Sequence, residues 1–428
     1  PFFAQDVRNW KPGAPLDFHP TYHFPHPLSK LPAGKYHFQA IMDLDRGGQN
    51  ALTAAGNGFS TPLVVDLAEH TAVPIALTID QVVPDKTFTE NERVKLVDIE
   101  SRLLTLFHGT PVRLRAGVVL PKSYAQKPAQ RYPVVYEVPG FGGDHHMAFS
   151  VAARQLPDVG VEMIHAVLDP SCRLGHHVFA DSANNGPCGR ALIEELIPVV
   201  EKNYRAVGTP GARFVTGHSS GGWSSLWLQV TYPDFFGGVW ATAPDPVDFR
   251  DFQRVNIYAA SANVFRDGKG DDRPLARKAG KVLIHFKSLS DMEVVLGRGG
   301  QLFSFEAVFS PKGAAGQPLH LWDRATGLID PAIAKTWQHY DIRMILEKNW
   351  TTLGPKLSGK LHVYMGAEDT YYLEGATDLL RKTLKGLGSD AVVEIFPGRD
   401  HGTLVDQKLR ARIAREMADR YRQSANEN

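Results

Sequence analysis

The second part of the chain contains short, nearly continuous hydrophobic runs. They lie at 132–138, 163–168, 213–216, 238–243, 361–365 and 392–396. Runs without hydrophobic-polar alternation are typical of strands that are buried on both faces of a sheet. Segments compatible with helices separate them, at 189–203, 222–231, 374–387 and 404–422. This succession of strands and helices predicts an α/β protein with a doubly wound, mostly parallel sheet.

Residues 1–95 show a different pattern. The first thirty or so residues lack periodicity and predict an extended lead-in, whereas hydrophobic positions alternate from Gly34 onward, with Gly and Pro residues between the runs. Short alternating strands of this kind predict a small all-β domain over 1–95, an Ig-like sandwich. A second domain is then expected over 96–428, beginning with an antiparallel strand pair at 103–107 and 112–120.

The segment 245–355 interrupts the alternation of strands and helices, although 331–350 has helical character. A long irregular segment inside a compact domain is usually a lid or a binding structure. We therefore expect 245–355 to be a lid or substrate-binding insertion that leaves the sheet at the carboxyl end of the strand 238–243.

Composition excludes some classes of function. Lys and Arg total 47 and Asp and Glu total 46, so the net charge of +1 gives no reason to expect a nucleic-acid or acidic-membrane partner. No hydrophobic run approaches the length of a membrane-spanning helix. The first residues lack a start Met, a basic region and a long apolar region, so any signal peptide is expected to have been removed or never to have been present.

The two cysteines, Cys172 and Cys188, are 16 positions apart in a segment with turn composition. A disulfide closing this loop would stabilise the fold by about 3 kcal/mol and would indicate an oxidising compartment, so that the protein would be secreted or periplasmic. The alternative is a free Cys188 at the N-terminus of the helix 189–203, where its thiolate would be favoured.

The pentapeptide at 217–221, with sequence GHSSG, lies between a predicted strand and a predicted helix. In this context the pattern G-x-S-x-G is typical of a sharp strand-to-helix turn that holds Ser219 in a strained, accessible conformation. The amide of Ser220, at the start of the helix, would point at a developing oxyanion. The alternative is an ordinary turn rich in Gly and Ser.

A serine nucleophile needs a base and a carboxylate that orients the base. Asp369 and His401 both follow predicted strands, and the carboxyl ends of parallel strands meet at one edge of a sheet. The chain order Ser219, Asp369, His401 is that of α/β hydrolases. Glu368 and Asp400 are the other candidates for the acid, but Asp400 adjoins His401 and could reach its ring only by folding back.

The glycine-rich segment after the strand 132–138 is expected to supply the second oxyanion donor, with Phe141 as first choice and Gly142 as second. The pairs His145-His146 and His176-His177 lack a third ligand at a familiar spacing, so no metal is expected. Candidate substrate contacts, including aromatic residues that could line an acyl or aryl pocket, are Trp223, Asp245, Trp322 and Tyr371.

Several motifs together resemble the putative esterase (esterase D-like, feruloyl esterase-related) family of α/β hydrolases. They are GHSSGG at 217–222, DSANNGP at 181–187, EELIP at 194–198, YPDFF at 232–236 and GRDH at 398–401. The resemblance covers about 96–418 and implies a Ser219, Asp369, His401 triad that hydrolyses carboxylic esters without a cofactor. Family members with a β-sandwich-like module before the hydrolase domain are similar to residues 1–95. The family commonly has His-Gly where this chain has Pro139-Gly140.

Three functions are compatible with these residues. The leading prediction is a serine esterase that acts on a small-molecule or polysaccharide-linked ester. A peptidase or thioesterase could use the same triad on the same fold. A non-catalytic carbohydrate-binding protein on a hydrolase scaffold is the alternative from another class.

Overall fold

The computed structural model of the protein describes residues 1–45, 50, 52–67, 74–155 and 157–426. Among the N-terminal residues that it describes, the strands are Phe2–Ala4 (β1), Tyr22–Phe24 (β2), Gly34–Phe38 (β3), Ile41–Met42 (β4), Gly58–Ser60 (β5), Leu63–Leu67 (β6) and Ile79–Val82 (β7). They pair as three small antiparallel sheets, β1 with β2, β3 with β6, and β5 between β4 and β7. Small β-sheets are thus present as expected, but the Ig-like sandwich is not confirmed.

The later strands build the main sheet and three small hairpins. They are Val94–Glu100 (β8), Arg113–Val119 (β9), Val134–Val138 (β10), Ile164–Leu168 (β11), Ser171–Cys172 (β12), Gly175–His176 (β13), Asp181–Ser182 (β14), Gly186–Pro187 (β15), Arg213–His218 (β16), Gly238–Thr242 (β17), Pro274–Lys278 (β18), Lys281–His285 (β19), Leu361–Gly366 (β20) and Val392–Phe396 (β21). The main sheet has eight strands in the order β21-β20-β17-β16-β10-β11-β9-β8.

The main sheet is parallel from β21 to β11, and β9 and β8 are added antiparallel at one edge. Its inner strands are buried on both faces: Val134 and Tyr136 of β10 lie in one hydrophobic cluster, and Val135 lies in another. Successive side chains of a strand point to opposite faces, which explains the continuous hydrophobic runs. The predicted mostly parallel sheet is therefore present, as a mixed eight-stranded sheet like that of α/β hydrolases.

Helices cover both faces of the sheet and form much of the insertion. They are Arg102–His108 (α1), Ala148–Ala153 (α2), Cys188–Ala191 (α3), Ile197–Asn203 (α4), Ser220–Thr231 (α5), Phe286–Leu296 (α6), Gln301–Phe309 (α7), Pro331–Trp337 (α8), Ile342–Leu357 (α9), Glu374–Gly386 (α10) and Gln407–Asn426 (α11). A π-helical segment, Leu192–Leu196, joins α3 to α4. Of the helices in the described ranges, none is long and apolar enough to cross a membrane.

The strand predicted at 103–107 is wrong, because these residues belong to α1. The Ser101 hydroxyl caps this helix by accepting a hydrogen bond from the Leu104 amide, and Gly109 ends it in the left-handed conformation. β8 takes the place of the expected strand as the antiparallel partner of β9. The division into domains at residue 95 remains a prediction, and β8 spans that position.

The insertion 245–355 begins just after β17 and contains the hairpin β18–β19 and the helices α6, α7 and α8. The helix expected at 331–350 is two helices, because α8 ends at Trp337 and α9 starts at Ile342. The side chain of Asp341 begins the second helix by accepting a hydrogen bond from the Met344 amide at 2.9 Å.

Candidate active site

Ser219 lies between β16 and α5, in the strand-turn-helix context that the sequence predicts. Its φ is 60° and its ψ is −125°, a conformation that is strained for a residue with a side chain. A Cβ on Gly217 would lie 2.1 Å from the Gly221 carbonyl oxygen, and one on Gly221 would lie 1.9 Å from the Val138 carbonyl oxygen. Only glycine fits at these two positions, so the turn places Ser219 at the carboxyl edge of the sheet.

His401 and Asp369 meet at the same edge. His401 Nδ1 lies 2.7 Å from Asp369 Oδ2, and Asp369 is fully buried. The other Asp369 oxygen accepts a hydrogen bond from the Tyr371 amide at 2.8 Å. An ionised carboxylate only accepts hydrogen bonds, so the shared proton belongs to Nδ1, and Nε2 of the neutral ring remains an acceptor.

His218 is a second histidine at this edge, and its role was not apparent from the sequence. Its ring centroid lies 4.5 Å from that of His401, and its Nδ1 lies 3.0 Å from Thr242 Oγ1. Burial, followed by the nearby charge of His401, lowers the pKa of His218 to about 4. His218 therefore stays neutral near pH 7 and packs beside His401 without competing for its proton.

The insertion 245–355 contacts the loop that carries Asp369. Arg277 on β18 donates from Nε to the Asp369 carbonyl oxygen at 3.0 Å and from its backbone amide to the Thr370 carbonyl oxygen at 2.7 Å. Its guanidinium also pairs with Glu374 at 2.6 Å. The first of these contacts joins residues that are 92 positions apart in the chain. The sequence around Arg277 contains no local pattern that predicts these contacts.

The segment predicted to supply the second oxyanion donor passes directly beside the nucleophile. A Cβ on Gly140 would lie 3.4 Å from Ser219 Cβ. His176 holds the start of this segment, because its Nε2 donates to the Pro139 carbonyl oxygen at 2.8 Å while its Nδ1 accepts from the Val178 amide at 3.1 Å. Burial lowers the pKa of His176 to about 4, which keeps this donor and acceptor pattern intact.

The choice of Phe141 over Gly142 as donor stays a prediction, as does the role of the Ser220 amide. The structure shows that Ser220 opens α5 and that Gly143 closes a turn by donating to the Gly140 carbonyl oxygen at 2.9 Å. Phe141 and Gly142 are the two residues inside that turn. Both predicted donors therefore lie in the backbone segment next to Ser219.

Asp245 lies beside Ser219, as expected for a residue just past β17. Its Oδ2 accepts a hydrogen bond from the Ser220 hydroxyl at 2.5 Å. Gln301, at the start of α7, donates a hydrogen bond from Nε2 to the same hydroxyl oxygen at 3.1 Å. Asp245 is only 5% exposed. Burial raises the pKa of Asp245 to about 6, although a hydrogen bond from Ser220 opposes this shift.

The aromatic candidates for substrate contact divide into two groups. Tyr371 is 41% exposed, and its ring lies edge-on to that of His401 with a centroid distance of 4.9 Å. Trp223 and Trp322 are each only 1% exposed. The rings of Trp223 and Trp227 stack within the core, 5.3 Å apart. Tyr371 is thus exposed beside His401, and its contact with a substrate stays a prediction, whereas the two tryptophans are core residues in this structure.

Trp322 is expected to stabilise the insertion rather than to select substrates. Its indole Nε1 donates to Ser290 Oγ at 3.3 Å, and its ring packs edge-to-face with Phe286 at 5.7 Å. Trp322→Ala should cost about 3–5 kcal/mol and lower the melting temperature, because it leaves a cavity in the core. Tyr371→Ala is the matched control, since an exposed ring can be removed with little loss of stability.

The measurement is the melting temperature together with kcat/KM for esters of different acyl size. We expect Trp322→Ala to melt earlier with unchanged ratios among the esters, and Tyr371→Ala to change the ratios at a nearly unchanged melting temperature. Altered ratios in a Trp322→Ala protein of wild-type stability would contradict the placement of Trp322 in the core.

The predicted disulfide is not supported, since Cys172 and Cys188 are both free thiols. Each sulfur contacts Asn185 instead of the other sulfur: Cys172 Sγ lies 3.7 Å from its Oδ1, and Cys188 Sγ lies 3.3 Å from its carbonyl oxygen. The alternative is correct in that Cys188 is free and begins α3. However, burial raises the pKa of Cys172 to about 12 and that of Cys188 well above its usual value, so a thiolate is not favoured. The prediction of a secreted or periplasmic location rested on this disulfide and therefore loses that support.

The histidine pairs have protein partners. Asp144, His145 and His146 place possible ligand atoms within 4.8 Å of one another. However, Asp144 pairs with Lys86 at 3.0 Å, and His145 Nδ1 lies 2.8 Å from an oxygen of the Asp169 carboxylate. A cation bound by these three residues would have to displace the Lys86 ammonium from Asp144.

Comparison with known proteins gives two kinds of match. A family model described as Putative esterase matches residues 109–347, more than half of the 428-residue chain. No curated protein sequence matches the chain at a significant level. Among solved structures, a ferulic acid esterase is similar, with 14% identity over 78% of this chain and 99% of that chain and a TM-score of 0.45. An S-formylglutathione hydrolase from Agrobacterium tumefaciens has 14% identity over 76% of this chain and 94% of that chain, with a TM-score of 0.47.

Proposed function

Because the chain belongs to the Putative esterase family, we propose that it is a serine hydrolase that cleaves carboxylic esters through an acyl-enzyme intermediate. Ser219 is the nucleophile, His401 the general base and Asp369 the acid that orients the base. The observation that carries this assignment is the 2.7 Å contact between His401 Nδ1 and the buried Asp369 carboxylate. Only a neutral histidine held in this tautomer presents Nε2 as an acceptor for a serine proton.

In the first half of the reaction, Ser219 Oγ attacks the ester carbonyl carbon while His401 Nε2 takes the serine proton. The tetrahedral intermediate carries its negative charge on the former carbonyl oxygen. The Ser220 amide, at the positive end of α5, and an amide of Phe141 or Gly142 stabilise this oxyanion. Collapse of the intermediate breaks the ester bond, and the His401 imidazolium gives its proton to the leaving alcohol.

In the second half, water replaces the alcohol. His401 Nε2 takes a proton from the water as its oxygen attacks the acyl carbon, and a second tetrahedral intermediate forms in the same oxyanion site. Its collapse releases the carboxylic acid and returns the proton to Ser219 Oγ. The chain's own residues supply each proton transfer, so this sequence of steps balances without a cofactor.

We also propose that the insertion 245–355 shapes the substrate site. Three of its residues support this proposal, since Asp245 contacts Ser220, Gln301 donates to the same hydroxyl and Arg277 holds the Asp369 loop. An insertion with these contacts lies against the reacting groups and not on a remote surface. Its aromatic core residues would then act by supporting the site, while exposed Tyr371 offers contact to the substrate.

The test measures kcat/KM of the purified wild-type protein for four substrate classes: p-nitrophenyl esters, aryl esters such as feruloates, thioesters and peptide anilides. We expect the highest kcat/KM for one of the ester classes, because family membership favours esters over amides. The Ser219→Ala protein is the control for background hydrolysis. Faster cleavage of anilides or thioesters would replace the esterase by a peptidase or thioesterase, and no turnover above the control would reject an enzyme of this class.

A further inference from the structure

The active-site edge contains a carboxylate that the triad does not use. Asp245 is 5% exposed, and its backbone amide donates to the Ser219 carbonyl oxygen at 3.2 Å. The Ser220 hydroxyl is bonded to its Oδ2 at 2.5 Å. A buried carboxylate is costly to keep ionised, so its position directly beside the nucleophile calls for an explanation.

The titratable groups around Asp245 and His401 come from three segments: the end of β16, the loop after β20 and the loop after β21. His401 attracts the carboxylate and lowers its pKa, whereas the charge of Asp369 raises that pKa. The Tyr371 ring lies edge-on to His401, and burial, followed by the charges of Asp369 and Asp245, raises the pKa of the Tyr371 phenol. His218 packs against His401 and stays neutral because of its burial. Of the described groups that act on Asp245, His401 is the one that can carry the opposite charge, and a hydrogen bond from the Ser219 side chain also lowers the pKa of Asp245.

We propose that Asp245 is a second carboxylate of the active site, whose negative charge stabilises the imidazolium that forms on His401 when Ser219 attacks. The inference rests on the proposed function and deepens it. The Asp245 amide is hydrogen-bonded to the Ser219 carbonyl oxygen and its carboxylate to the Ser220 hydroxyl, so the carboxylate lies beside the residue whose proton His401 takes. A negative charge close to a base favours the protonated form of that base. Asp369 supplies orientation and charge through a direct hydrogen bond, and Asp245 adds charge from the side of the nucleophile.

The proposal has a pH signature. Burial raises the pKa of Asp245 to about 6, so the carboxylate is ionised near pH 8 and neutral well below pH 6. The stabilisation of the His401 imidazolium by Asp245 should therefore be present at alkaline pH and should disappear as the pH falls through about 6.

A purely structural role makes a different prediction. Gln301, Ser220 and Asp245 form a chain of hydrogen bonds that could serve only to fix the first turn of α5. In that case the Ser220 hydroxyl would matter as much as the carboxylate, and neither loss would depend on pH. Two variants separate the roles: Asp245→Asn keeps an acceptor for the hydroxyl and removes the charge, whereas Ser220→Ala keeps the charge and removes the donor.

The experiment measures the rate at which a fluorophosphonate labels Ser219 across a range of pH, alongside ester hydrolysis. Labelling reports the reactivity of the serine whichever substrate the enzyme prefers. We expect Asp245→Asn to react about tenfold more slowly near pH 8, because the variant lacks the negative charge that stabilises the imidazolium in the transition state. The deficit should vanish below about pH 5, where the wild-type acid is neutral.

Ser220→Ala should shift the pH at which the benefit appears upward, because the lost hydroxyl no longer lowers the pKa of Asp245. This second variant tests the proposal even if Asp245→Asn fails to fold. A deficit of Asp245→Asn that is equal at all pH values, a variant faster than wild type near pH 8, or a Ser220→Ala profile without a shift would each overturn it. Failure of wild-type protein to label at Ser219 would instead reject the proposed function itself.

Discussion

Replacement of Ser219 by alanine is expected to lower ester hydrolysis by a factor on the order of 10⁶. The methyl group cannot attack a carbonyl carbon, so no acyl-enzyme can form. The oxyanion site and substrate binding would leave a residual rate on the order of 10³–10⁴ above that in water. The measurement is kcat on the best ester of the panel, with mass spectrometry to detect the acyl-enzyme in wild type and its absence in the variant.

Ser225→Ala is the matched control for this prediction. Ser225 lies in the same helix, α5, and its hydroxyl donates only to the Gly222 carbonyl oxygen one turn earlier, at 2.9 Å. This variant should retain wild-type turnover. Turnover of purified Ser219→Ala close to that of the wild type would remove the nucleophile from the mechanism and with it the proposed function.

Asp369→Asn is expected to lower kcat by about 10⁴ while leaving the fold in place. Asparagine has nearly the same shape, but its amide can donate to His401 Nδ1 and so favours the tautomer whose proton lies on Nε2. That tautomer cannot accept the serine proton. The fully buried position of Asp369 leaves no room for water to take over its role. Steady-state kinetics and a melting curve would separate this loss from unfolding.

Asp400→Asn tests the competing assignment of the acid. Asp400 adjoins His401, but its Oδ1 accepts hydrogen bonds from the Thr403 amide at 2.8 Å and from the Thr403 hydroxyl at 2.7 Å. Its carboxylate therefore closes its own loop, and the variant should keep most of the activity. If Asp400→Asn lost as much as Asp369→Asn, the acid would have to be reassigned.

The elements that the sequence by itself determined are those whose cause is local. The turn around Ser219 needs glycine at 217 and 221 because backbone atoms approach within 2.1 Å of the place where a side chain would start. The strands β10 and β17 are nearly continuous hydrophobic runs because each is covered on both faces. Parallel strands then bring the loops at Asp369 and His401 to one edge. The turn and the hydrophobic runs are each visible in a window of a few residues, and the sheet order then follows from their succession.

Tertiary structure alone decided the rest, because those features depend on partners far away in the chain. Residues 103–107 have a pattern that suits a strand or a helix, and the pairing of β8 with β9 leaves them to form α1. Cys172 and Cys188 have a spacing that permits a bridge, but each thiol is directed to Asn185. Trp322 could have lined a pocket or filled a core, and burial against Phe286 decided for the core.

At the candidate site too, the sequence predicts the reacting groups, whereas the tertiary structure decides which side chains hold them. Arg277 reaches the Asp369 loop from the insertion, and Gln301 reaches Ser220 from α7, across 92 and 81 positions of the chain. Such contacts produce no periodic or local pattern in the sequence, because each requires only one polar side chain at a suitable position. The sequence thus determined which groups perform the proposed chemistry. The packing of the insertion decided which side chains hold them, because burial and distance arise only when remote segments meet.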